Sequence, residues 1–111
     1  MAKRKRILGI DPGTARLGYA IIDYTSQDKT ITLITCGVIA TSKRDTDAQR
    51  LSEIRFDLKS IIEEYGPEIV SVEELFFFKN IKTVIPVAQA RGVVMELAAT
   101  MNLEIFEYTP L

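Results

Sequence analysis

The chain has 111 residues, 47% of them hydrophobic and 26% charged, with a formal net charge of −1, which fits a single globular domain over residues 1–111 with a core of its own. It contains no histidine and one cysteine, Cys36. Imidazole bases, histidine triads, thiolate metal clusters and internal disulfides are therefore excluded, and the near-neutral charge does not by itself announce a nucleic-acid binder.

In chain order, residues 6–11 form an apolar run that ends at Asp11 and breaks at Pro12-Gly13-Thr14, the pattern of a buried strand leaving its sheet. The basic residues Lys3–Arg6 before it read as a solvated terminus. No long apolar stretch follows them as a leader would require, and no run is long enough to span a membrane. The cytoplasm is the expected compartment. Two further strands, 19–24 and 31–39, flank the polar stretch 25–29 and suggest a hairpin, with Cys36 as a small buried strand residue. Thr46-Asp47-Ala48-Gln49 has the spacing of a capping box, and Leu51, Ile54, Leu58, Ile61 and Ile62 recur at helical intervals until Gly66-Pro67 stops the helix. Residues 69–73 are a fourth strand. Thr83 is placed to cap a second helix running to about Met101, with Pro86 tolerated in its first turn, and 103–108 form a last strand. Strand-strand-strand followed by strand-helix alternation predicts an α/β fold with a mixed sheet, its helix-linked strands parallel.

Two strands share one design. Ile7-Leu8-Gly9-Ile10-Asp11 and Ile69-Val70-Ser71-Val72-Glu73 are apolar runs ending in an acid. If they are adjacent and parallel, their carboxyl ends meet about 5 Å apart, at the edge where open α/β sheets place ligands. Two carboxylates so placed repel unless a divalent cation lies between them, and oxygen donors suit hard cations such as magnesium. The structural alternative for Asp11 is a turn residue bonding its own backbone. Gly13 in the same turn would also suit backbone approach to a phosphate. Glu74 cannot point to the same cluster as Glu73, because side chains alternate along a strand, and reads as surface charge or as an outer neighbour that supports the site.

The stretches ILGIDPGTARLGYAII, VEELFFFKN at 72–80, QARG at 89–92 and FEYTP at 106–110 together resemble RuvC, the Holliday junction resolvase family. The resemblance implies a ribonuclease H-like fold, a five-stranded mixed sheet flanked by helices, and an endodeoxyribonuclease that nicks four-way junctions symmetrically in recombination and repair. It makes Asp11 and Glu73 catalytic ligands of Mg2+ or Mn2+. It matches Phe76 to an aromatic that wedges into the junction centre. Phe76 or Phe77 would stack on unpaired bases, worth roughly 1–3 kcal/mol per base, against core packing as the plain alternative. Lys79, Asn80 and Lys82 would meet phosphates, with Thr14 and Arg16 as weaker candidates for the same task.

Between Val84 and Met101 the only charged residues are Arg91 and Glu96, so this helix is apolar on more than one face. A two-fold homodimer through residues 84–101, with Gly92 allowing close approach, would cover the second face. The family is also dimeric and works with branch-migration motor proteins. In the family a further helix, more basic residues and a second pair of acids follow FEYTP. The expectation is thus an N-terminal portion without the C-terminal helices, which self-associates but does not cut. Two other classes share parts of the pattern: a YqgF-like nuclease, and a nucleotide-binding domain of the actin and sugar-kinase type with Asp11-Pro12-Gly13-Thr14 facing phosphates.

Overall fold

The structure, a computed structural model, describes residues 3–13, 15–74 and 81–108, with only the backbone of residues 81 and 83. Seven elements follow in order: β1 (Arg4–Asp11), β2 (Arg16–Thr25), β3 (Thr30–Ala40), α1 (Asp47–Tyr65), β4 (Ile69–Glu73), α2 (Ile81–Thr100) and β5 (Glu104–Tyr108). The five strands make one mixed sheet in the order β3-β2-β1-β4-β5. β1, β2 and β3 form an antiparallel meander, while β4 and β5 join it in parallel. This is the α/β architecture expected of the chain.

Local chemistry sets the element ends. The β2–β3 hairpin turns over residues 26–29, where Asp28 accepts the Thr30 N–H at 3.2 Å and Lys29 takes a left-handed φ of 56°. The capping box forms: Thr46 Oγ1 accepts the Gln49 N–H at 3.1 Å, and Gln49 Oε1 accepts the Thr46 N–H at 2.8 Å. At the other end of α1, Gly66 has φ 61° and its N–H donates to the Ile62 carbonyl at 2.8 Å.

Both helices lie on one face of the sheet. Leu8, Ile10, Leu17, Ile21, Val70 and Val72 point into the core that α1 closes with Ile54, Leu58 and Ile62, and α2 with Ala90, Val94, Leu97 and Ala98. The alternate residues of the same strands, among them Ile7, Gly9, Ala20, Ile22, Ile69, Ser71 and Phe106, face the other way. They line an open groove of about 540 Å³. Ile31, Leu33 and Val38 extend this face onto β3 and are 65%, 59% and 56% exposed.

Four expectations need correction. Cys36 is exposed, because β3 is an edge strand and Cys36 pairs with Ala20 on the open face. α2 begins at Ile81, so Thr83 lies inside the helix and does not cap it. For the same reason Pro86 sits beyond the first turn, where it withholds a hydrogen bond from the carbonyl four residues back. Lys3–Arg6 is not simply a solvated tail, since β1 starts at Arg4.

Arg6 is instead a fastener. Its Nε and NH2 grip both carboxylate oxygens of Asp23 at 2.7 and 2.9 Å, and its NH1 donates to the Tyr65 carbonyl at 2.9 Å. β1, β2 and the end of α1 meet at this fork. The hydrogen bonds from Arg6 hold the Asp23 carboxyl below its ordinary value of 3.8. A depressed carboxyl pKa contributes stability that is present above the unfolded pKa and lost as pH falls through the folded one. Asp23→Asn should therefore melt below wild type at pH 7, and the gap should close as pH is lowered past about 4. Thermal unfolding from pH 7 to pH 2.5 checks this; a gap that stays constant contradicts it.

Candidate active site

β1 and β4 are paired in parallel from Ile7 with Ile69 to Ile10 with Val72. Asp11 and Glu73 each follow one residue beyond the last pair, so the two acids end neighbouring strands at the same level. Asp11 pairs with Gly18 across β1–β2, and Glu73 with Tyr108 across β4–β5. Gly18, Asp11, Glu73 and Tyr108 thus form one row on the open face of the sheet. A Cβ built on Gly18 would lie 3.7 Å from the Asp11 Cβ. With no side chain there, β2 leaves that flank of the acid uncovered.

The electrostatics agree with the placement. The Tyr108 phenol is pushed above its ordinary pKa, first by burial and then by the negative fields of Glu73 and Asp11. Both carboxylates are close enough for their charge to oppose ionisation of the phenol. Glu74 lies just outside β4 and is exposed, and its N–H donates to the Tyr108 carbonyl at 2.6 Å.

What this arrangement can hold follows from its donors. Among the described residues no group of three or more acidic, cysteine or histidine side chains converges. Two carboxylates at an open sheet edge form a sparse oxygen site. That matches the usual environment of magnesium, which keeps several waters and takes one or two carboxylates plus phosphate oxygens. The residues present fit a hard divalent cation and do not fit zinc or other metals that favour nitrogen and sulfur ligands.

Of the other residues singled out in the sequence, Arg16 is exposed at the start of β2, two positions before Gly18 and on the same face as Asp11. Lys82 is exposed in the first turn of α2. Thr14, Phe76, Phe77, Lys79 and Asn80 lie outside the described residues. Sequence reasoning passed over Gly18 and Tyr108, whose place beside the acids is a matter of strand register. It quoted Arg91 within QARG without a task; the structure has Arg91 Nε donating to the Glu73 carbonyl at 3.1 Å.

The model of the family described as crossover junction endodeoxyribonuclease RuvC matches residues 7–111. The chain belongs to the RuvC family. It is 43% identical over 106 residues to a crossover junction endodeoxyribonuclease RuvC of Roseiflexus sp., an alignment covering 96% of this chain and 62% of the relative. The RuvC of Alkaliphilus oremlandii is 49% identical over 105 residues, covering 95% and 63%. The chain thus spans somewhat under two thirds of the length of these relatives. Among solved structures, the RuvC of T. thermophilus in complex with Holliday junction substrate superposes with a TM-score of 0.86 at 26% identity, over 95% of this chain and 66% of that one. The five-stranded mixed sheet agrees with RuvC membership.

The turn after Asp11 is sterically determined. A Cβ on Gly13 would overlap the carbonyl oxygen of Arg16, so the chain closes between β1 and β2 only with glycine there. Gly13→Ala should destabilise the fold by about 1–3 kcal/mol, the usual cost of forcing an extra methyl into a packed site. Urea denaturation measures it, and an unchanged midpoint would show that the turn is looser than described.

Proposed function

We propose that this chain forms the nuclease domain of a RuvC-type endodeoxyribonuclease, in which Asp11 and Glu73 hold Mg2+ or Mn2+ and the substrate is four-way junction DNA. The observation that carries the proposal is the convergence of the two acids at the carboxyl ends of parallel β1 and β4. The T. thermophilus relative solved with a Holliday junction supports the substrate class.

A divalent cation bound there supplies Lewis-acid polarisation of a phosphodiester and activation of water. The residues of the chain do the rest. Asp11 and Glu73 fix the cation at the sheet edge. Arg16 and Lys82, with Thr14, Lys79 and Asn80 from the adjoining segments, contact phosphates and orient the backbone without reading its sequence. Phe76 or Phe77 stacks on bases opened at the junction centre. The protein works as a homodimer through residues 84–101, so that two sites nick strands symmetrically. In support, Ile85 on α2 is 54% exposed and Gly92 has open space around its Cα. The partners are the junction and branch-migration motor proteins, and the compartment is the cytoplasm. Among the described residues no helix is long and apolar enough to cross a membrane.

Two carboxylates leave most of the coordination shell to water, so cation affinity should be weak. Manganese titration followed by electron paramagnetic resonance should show uptake by the wild type. Asp11→Asn and Glu73→Gln should each reduce it sharply while circular dichroism stays unchanged; uptake indifferent to both substitutions would remove the metal reading.

A protein carrying this domain should nick a synthetic four-way junction in magnesium. Changing Phe76 or Phe77 to Ala should slow that nicking and spare the melting temperature. A large loss of melting temperature with normal nicking would assign the rings to the core instead.

A further inference from the structure

Glu73 and Glu74 are consecutive acids, and only one of them can share a face with Asp11. The choice depends on how the chain leaves β4. Glu73 is the last residue of that strand and its partner Tyr108 the last of β5. Among the described residues no further strand pair follows this one. A rotation of the peptide that follows would bring Glu74 toward the open face, where it would compete with Glu73.

That peptide group is held from both sides. Its N–H, belonging to Glu74, donates to the Tyr108 carbonyl at 2.6 Å. Its carbonyl, belonging to Glu73, accepts from Arg91 Nε at 3.1 Å. The Arg91 guanidinium also pairs with the Glu107 carboxylate through NH2. Glu107 alternates with Tyr108 and so faces the helices, which places Arg91 beneath the sheet edge and the Asp11–Glu73 pair above it. Arg91 is half-buried, with its side chain 18% exposed, and it is one of only two charged residues between Val84 and Met101. A charge held this far out of water in an apolar helix needs well-placed partners. The partners it has are the end of β4 and its neighbour on β5.

We propose that Arg91 is a positioning residue: from α2 it locks the peptide after Glu73, and so commits Glu73 rather than Glu74 to the cation shared with Asp11. The role rests on the reading of Asp11 and Glu73 as cation ligands, although Arg91 touches neither carboxylate. It acts through the main chain of one and through Glu107, whose charge orients the guanidinium. A lysine would reach with a single point charge and could not serve the carbonyl and the carboxylate with one planar fork.

Wild type, Arg91→Met and Arg91→Lys should be compared by three measurements: manganese affinity, melting temperature and hydrogen exchange of the Glu74 amide. Arg91→Met should weaken manganese binding about tenfold, the scale on which lost outer partners cost metal affinity, and Arg91→Lys should recover part of it. Exchange of the Glu74 amide should accelerate in Arg91→Met while the Val72 amide, deep in the ladder, keeps its wild-type rate. A purely structural Arg91 would lower the melting temperature and leave the affinity of the folded protein unchanged, and that result overturns the proposal. Manganese uptake in wild type matched by Arg91→Met, with an unchanged Glu74 amide, overturns it alone. No uptake by wild type would overturn the cation reading and this role together.

Discussion

The parallel pairing of β1 with β4 is the constraint on which the rest depends. Both strands sit in the middle of the sheet, with β2 outside one and β5 outside the other. Their alternate residues Leu8, Ile10, Val70 and Val72 are buried at 1% exposure or less under α1 and α2. A slip of one residue would turn these four side chains out of the core, so burial specifies the register strongly. The same register decides where Asp11 and Glu73 fall. The hydrophobic effect that fixes the core therefore also sets two acids side by side at the carboxyl edge of the sheet.

The two faces of the sheet divide the work. The helix-side face supplies stability, through the apolar core and through cross-links such as Arg55 on α1, which pairs with Glu96 on α2 at 2.9 Å. The open face is poor in large side chains near the acids, with Gly9, Gly18, Ala20 and Ser71 in the central strands, and it keeps room for a ligand. Arg91 connects the faces. It is anchored among the helices and reaches the last peptide of β4, so the rigid layer controls the geometry of the exposed one. Tyr108 has the complementary position on the open side, where its phenol lies in the field of both carboxylates.

Much of this was legible in the residues. The acid-ended strands, the capping box at Thr46 and the stop at Gly66 are local signals, and each landed where its chemistry required. The mixed sheet with parallel helix-linked strands followed from the strand-helix alternation, its five strands from the family resemblance, and the strand order β3-β2-β1-β4-β5 only from the structure. What the sequence did not show depends on three-dimensional neighbours. Cys36 looks like a core residue until β3 proves to be an edge strand with one bare face. Arg6 looks like part of a basic tail until Asp23 is found across the β1–β2 ladder. The start of α2 was misjudged because Thr83 offers a cap and Pro86 favours a first turn, yet the helix begins at Ile81 and accommodates the proline in its interior. Arg91 carried a weak signal, an isolated charge in an apolar helix, but its partner is a main-chain carbonyl that no side-chain pattern reveals. The aromatic stretch with Phe76 and Phe77 lies outside the described residues, so its reading still rests on family resemblance.

The most direct test of the account is a crystal structure of the chain soaked in manganese, with the cation located by anomalous scattering. A peak is expected at the carboxyl edge of the sheet, bridged by Asp11 and Glu73 and absent from Asp11→Asn crystals. A peak bound by Glu74, or one that persists at the same place without Asp11, would contradict it.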